Sequence, residues 1–157
     1  MQDPGTSDAA KTALLQTLKD GKGWYILLDE NSGEKCLATP IVFYGSVYYT
    51  TFTPNLGHPD DICYVGEGAG RVYIVKQKTG NAVFNFDVNN DIAGSPGQVV
   101  VAKSDRVLGI GSGIPSGVII TFIGGEATSY AGIGGGVYSP PLTNRKSLLP
   151  INWKLVF

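Results

Sequence analysis

The sequence predicts an all-β fold, an antiparallel meander of propeller-blade-like sheets, preceded by one short helix. Three observations carry this expectation. Turn formers are frequent, with 22 glycines and 9 prolines among 157 residues, and they divide the chain into runs of strand length. Those runs are rich in Val, Ile, Tyr, Phe and Thr, the residues that suit a pleated surface. In VYIV (72–75) and GVIITFI (117–123) apolar side chains occupy both alternating faces, so these sheets are expected to be covered on both sides, as stacked blades are.

The only helical signal comes first. In DAAKTALLQTLKD (8–20), Ala9, Ala13, Leu14 and Leu18 fall near one stripe, Asp8 stands where a cap is needed, and Gly21 stands where the helix must stop. Residues 1–20 therefore read as a tail with a short helix, and 21–157 as a single β domain. Within that domain, a strand at 24–28, a turn through Asp29-Glu30-Asn31-Ser32-Gly33 and a strand near 34–38 form a first hairpin, ended by Pro40. IVFYGSVYYTTF folds back at Tyr44-Gly45-Ser46 as a second hairpin. A loop, NLGHPDDICYVGEGAG (55–70), leads to RVYIV and NAVFNFD, which flank the KQKTG turn as a third. GQVVVAK, RVLGIG, GVIITFIGG, ATSYAGIGGG and INWKLVF supply the remaining strands. A short Gly-x-Val-Tyr phrase recurs at 45–48, 70–73 and 135–138, a faint repeat of the kind that blade architectures carry.

Composition excludes several function classes. Charged residues are 16% of the chain and the net charge is −1, with Lys and Arg scattered singly, so the clustered cations that nucleic acid requires are missing. No run approaches the roughly 18 apolar residues of a membrane-spanning helix, and the start MQDPGTSDAAKTALLQ lacks the basic and apolar regions of a signal peptide. A hydrophobic fraction of 43% argues for a packed core rather than disorder. The two cysteines, Cys36 and Cys63, lack zinc-site spacing. In an exported chain they form a disulfide candidate, and otherwise two free thiols.

Each candidate chemistry has a plainer reading beside it. GEGAGR (66–71) and GIGSGIPSG (109–117) resemble phosphate-cradling loops, but the glycine spacing is wrong, no helix follows, and GK[ST] is absent; bulges and tight turns are the alternative. His58 is the single histidine, in GHPDD, and with Cys63 five residues on it makes no nucleophile arrangement held by a third group. Asp87, Asn89 and Asp91 alternate like the first half of a calcium loop. The second half fails, since Ile92 stands where glycine is wanted and Gln98 where a bidentate carboxylate is wanted. The adjacent carboxylates Asp29-Glu30 and Asp60-Asp61 diverge on extended chain and cannot flank a scissile bond. Trp24, Tyr25, Phe43, Tyr44, Tyr48, Tyr49 and Phe52 offer aromatic surface for a sugar or a base, with core packing as the other use.

The order of several phrases resembles one family. GWYILLDENSGEK, TPIVFYGSVYYTTFTP, a cysteine-bearing loop, GRVYIVKQKTGNAVF, RVLGIGSGIPSGVII and a terminal INWK look like the C-terminal region of the PilY1 family of type IV pilus-associated proteins, with residues 40–80 the specific part. The resemblance implies a modified β-propeller exposed at the cell surface, on the pilus or in the periplasm, serving pilus biogenesis and adhesion without catalysis. It implies minor pilins, or another chain completing the sheet assembly, as partners, together with a host or surface ligand. No nucleic acid partner is expected, and no cofactor other than Ca2+ at Asp87, Asn89 and Asp91. Two departures stand out: Lys76 occupies a position where family blades commonly have Asp, and the strands supply about three blades, fewer than a closed propeller needs. The chain therefore reads as a fragment or an assembly subunit. The alternatives are a fragment of a quinoprotein-type propeller dehydrogenase, from the turn at Thr79-Gly80, and a sugar-binding β domain, from the aromatics.

Overall fold

The computed structural model describes residues 7–21, 23–55, 66–90 and 101–143. These are mostly β, with one helix and antiparallel sheets. The helix, α1 (Asp8–Asp20), is capped by Ser7, one residue before the expected Asp8: the Ser7 hydroxyl accepts from the Ala10 N–H at 3.2 Å, and the Gly21 N–H closes the other end on the Thr17 carbonyl at 2.9 Å. None of its residues is buried. With so little apolar area to sequester, its order rests on local bonds such as Lys11 Nζ to Asp8 at 3.1 Å.

The first sheet holds β1 (Lys35–Cys36), β2 (Ile41–Phe43), β3 (Ser46–Asn55), β4 (Gly66–Lys76) and β5 (Val107–Ser112). Its order is β1-β3-β4-β5, with β2 also paired to β3. The expected turn at Tyr44-Gly45 joins β2 to β3, and the long β3–β4 ladder runs from Ser46 opposite Lys76 to Asn55 opposite Gly66. The second sheet is a meander of β6 (Ile119–Ile123), β7 (Glu126–Ile133) and β8 (Gly136–Tyr138), joined by turns at Gly124-Gly125 and Gly134-Gly135.

Strand alternation in β3 and β4 gives the first sheet two buried faces with different chemistry. One face, carrying Tyr48, Val72 and Ile74, meets Val118, Ala127, Ala131 and Leu142 in the hydrophobic core between the sheets. Crossing bonds join the layers: Thr50 Oγ1 donates to the Ser116 carbonyl at 2.8 Å, and the Thr143 N–H donates to the Tyr48 hydroxyl at 3.4 Å. The opposite face carries Val47, Tyr49, Thr51, Thr53, Arg71, Tyr73 and Val75 in register.

Several expectations need correction. The hairpin of 24–28 with 34–38 does not form. Residues 23–29 are extended but belong to no ladder, and β1 pairs with β3 instead, Lys35 opposite Phe52 and Cys36 opposite Thr51. The segment keeps strand periodicity because it lies across a sheet face: Trp24, Ile26 and Leu28 are half-buried, while Tyr25 and Leu27 point to solvent. The third hairpin stops after a single bridge, Val75 to Ala82, because the following residues turn back toward the core, where Val83, Phe84 and Phe86 pack. VYIV is buried on both faces as expected, whereas GVIITFI is not: Ile119, Phe122 and Ile123 are exposed on an edge strand. Finally, the Gly-x-Val-Tyr repeat is not structurally equivalent. Tyr48 faces the second sheet, while Tyr73, opposite Tyr49, lies on the other face. Of the expected strand GQVVVAK (97–103), residues 97–100 lie outside the described residues and 101–103 form no strand, because they lead into the 3-10 turn Ser104–Arg106; INWKLVF lies outside the described residues.

Candidate functional site

The glycine-rich stretch GEGAG forms the first half of β4 rather than a loop. Gly68 has φ +69, and a Cβ there would stand 2.5 Å from the Phe52 ring and 2.6 Å from the Thr53 carbonyl oxygen. The glycine thus serves close approach of β3 to β4 and a strained backbone, not a ligand. A ladder irregularity at Gly70/Arg71 against β5 supplies the bulge that the spacing suggested. In GIGSGIPSG, Gly111 lies within β5 at φ +138, one residue before its end at Ser112, and Gly113 follows at φ +95.

Of the calcium candidates, Asp87 and Asn89 are described and Asp91 lies outside the described residues. Asp87 Oδ1 accepts from both the Asn89 N–H and Asn89 Nδ2, each at 3.1 Å, at the start of the 3-10 turn Val88–Asn90. That oxygen caps a turn. No group of three His, Cys, Asp or Glu side chains converges among the described residues. Cys36 is a free, exposed thiol whose Sγ donates to the Ala38 carbonyl at 3.3 Å, and its candidate disulfide partner falls outside the described residues. Cys63, His58, Asp60 and Asp61 lie outside the described residues.

The densest polar cluster sits where sequence reading placed no site: on the first sheet's second face, beneath residues 23–34. Glu34 is buried at the end of the turn closed by its N–H on the Asn31 carbonyl at 3.1 Å. Its Oε1 accepts from Thr51 Oγ1 at 2.6 Å and from the Tyr73 hydroxyl at 3.1 Å, while Oε2 accepts from Asn31 Nδ2 at 2.8 Å. Arg71 donates to Asn31 Oδ1 at 3.1 Å and to Thr53 Oγ1. The β3–β4 register makes this possible by standing Thr51 opposite Arg71 and Tyr49 opposite Tyr73. The two tyrosine rings stack with centroids 4.8 Å apart and planes 8° from parallel.

Both phenols are pushed far above their ordinary value: burial dominates in each, reinforced at Tyr49 by Cys36 and at Tyr73 by the charge of the Glu34 carboxylate that accepts its hydrogen bond. Because the folded values are raised, the stabilisation is complete below the unfolded tyrosine value near 10 and declines as pH rises above it, where only the unfolded chain ionises. Urea midpoints measured from about pH 9 to about pH 11 are expected to fall, with Tyr73 contributing up to about 1 kcal/mol per pH unit. Tyr73→Phe should flatten the slope; an unchanged slope would count against this assignment.

A second node is Asp105, fully buried in the 3-10 turn Ser104–Arg106. Its Oδ1 accepts from the Phe86 and Asp87 N–H groups at 2.8 and 2.7 Å, and Oδ2 accepts from the Ala102 N–H at 2.7 Å. Its sequence signal is a lone acid, in KSDR, between apolar runs. Both acids are held by donors that fix chain segments, which suits an architectural role.

At one end of the first sheet two turns stand side by side. Tyr44, at φ +45, and Gly45, at φ +74, make the β2–β3 turn, and the Gln77 N–H donates to the Gly45 carbonyl at 2.8 Å. The following turn is closed by the Gly80 N–H on the Lys76 carbonyl at 2.8 Å and by the Lys76 N–H on the Asn81 carbonyl at 2.7 Å. Trp24 braces it from outside, its Nε1 donating to the Gln77 carbonyl at 2.8 Å and its ring lying against Gly80. Between the turns opens a cleft of about 440 Å³. No helix among the described residues is long and apolar enough to cross a membrane. No family model matches this chain, and neither a curated protein nor a solved structure matches it.

Proposed function

We propose that the chain is a non-catalytic surface module of type IV pilus biogenesis and adhesion, built from propeller-blade-like sheets and working within a larger assembly. The observation that carries this reading is the ordered series of phrases across residues 40–80, from TPIVFYGSVYYTTFTP to GRVYIVKQKTG. Two further observations support it. The glycines of that region serve strand contact at Gly68 and turn conformation at Gly45 and Gly80, and the buried acids Glu34 and Asp105 are occupied by internal donors. Minor pilins, or a chain completing the sheets, are the partners this reading assigns, and the cell surface or periplasm is its location.

The test is fractionation of the producing cells with an antibody to the chain, alongside shearing and pelleting of pili. The expected result is recovery with the sheared pilus fraction or the periplasm, and loss from that fraction when minor pilins are deleted. Confinement to the cytoplasm would overturn the proposal. Quinone absorbance in the purified protein with dye reduction by alcohols or sugars would replace it with the dehydrogenase reading.

A further inference from the structure

We propose that the cleft between the Tyr44-Gly45 turn and the Lys76–Thr79 turn binds a carboxylated saccharide, a uronic-acid-type unit whose ring stacks on Tyr44 and whose carboxylate meets Lys76 and Lys78. This goes beyond the pilus reading and does not depend on it. Tyr44 is 50% exposed and is the one described non-glycine residue with positive φ. A bulky side chain in that conformation is an outlier of the kind that clusters at binding sites. Asparagine would suit the turn better, so the exposed ring is kept at a conformational cost. Phe43 supports it edge-on, with ring centroids 4.7 Å apart.

The cations complete the site. Lys76 and Lys78 line the cleft, both exposed, and neither forms an ion pair or side-chain hydrogen bond among the described residues. In a chain of net charge −1, two lysines without a described ion-pair partner lining the same cleft as Tyr44 make a local anion preference. Gln77 and Thr79 bring polar groups and Val83 an apolar wall. The volume matches a small-ligand site rather than a polymer groove. A sugar acid satisfies all three features at once, since its C–H face stacks on an aromatic ring, its hydroxyls exchange hydrogen bonds and its carboxylate pairs with lysine. The walls are pre-formed by the backbone bonds that join the turns and by the Trp24 brace, which lowers the ordering cost of binding. Nucleic acid fits less well, because among the described residues no further cation lines the cleft.

The purified full chain can be titrated calorimetrically with tetragalacturonate and with its fully methyl-esterified form at about 0.15 M salt. The expected result is measurable binding of the acid and at least about tenfold weaker binding of the ester, as two exposed charge pairs would give. Lys76→Gln with Lys78→Gln should produce the same loss. Tyr44→Asn removes the ring while keeping a residue at home in the left-handed region, and should weaken binding about tenfold with no fall in melting temperature. Three results would each overturn the proposal: no binding of the acid at millimolar concentration, equal affinity for acid and ester, or an unchanged affinity in Tyr44→Asn, which would leave a plain anion site. None of them bears on the pilus fractionation.

Discussion

Replacing Asp105 with alanine is expected to destabilise the protein by about 4 kcal/mol, read as a shift in the urea midpoint. The side chain is fully buried and accepts from three backbone N–H groups, those of Phe86, Asp87 and Ala102. Alanine would leave all three without that acceptor, and each costs roughly 1–3 kcal/mol when water cannot replace it. The effect spreads because the carboxylate joins the segment carrying Phe84 and Phe86 into the core to the turn that launches β5. Asp105→Asn keeps one oxygen but turns an amide donor toward an N–H donor, so about half of the loss is expected. For a domain whose whole stability lies near 5–15 kcal/mol, the alanine variant should lose from about a quarter to most of it. A loss below about 1 kcal/mol would show that the segments hold without the carboxylate.

The second large effect is expected at Glu34. Glu34→Ala removes the acceptor of the Thr51 hydroxyl, the Tyr73 hydroxyl and the Asn31 amide together, and Thr51 has no exposure to water. About 3 kcal/mol should be lost, with the three groups failing as one network rather than separately. Glu34→Gln is the informative control, because the hydroxyls of Thr51 and Tyr73 can rotate to suit an amide, and about 1 kcal/mol is expected. The variants differ in a second readout. Loss of Glu34 releases the extended segment 23–34 from the sheet, so amide exchange at Ile26 and Leu28 should accelerate in Glu34→Ala and stay near wild type in Glu34→Gln. Equal exchange in both would mean that Trp24, Ile26 and Leu28 hold the segment by packing alone.

Many of the periodic elements were legible. Helix α1, the Tyr44-Gly45 hairpin, the 71–75 part of β4, β5 and the β6–β7 hairpin follow from local patterning and turn chemistry, because a strand's alternation and a glycine's positive φ are properties of a few adjacent residues. Pairing was less legible. GWYIL reads as a strand and is extended, yet whether it joins a ladder or lies across a face depends on which edge is free, and β1 already occupies that side of β3. Val72-Tyr73-Ile74-Val75 looks the same on paper as Ile119-Ile120-Thr121-Phe122. Only the position of β4 in the middle of its sheet and of β6 at an edge makes one buried and the other open.

By itself, then, the sequence determined the class of fold, the turns, and the absence of phosphate-loop spacing in GEGAGRVYIVKQKTG. Tertiary structure alone decided which polar residues matter. Glu34 and Asp105 look like ordinary turn acids in the sequence, and only the packed chain shows them buried and hydrogen-bonded to distant segments, while Asp87 caps the turn that follows it. The cleft between Tyr44 and Lys78 belongs to the same category, since thirty-odd residues of sequence separate its walls and the β3–β4 register joins them. The physical reason is that turn and strand preferences are settled within a few residues, whereas burial, hydrogen-bond partnership and the meeting of two turns are set by which strands lie side by side.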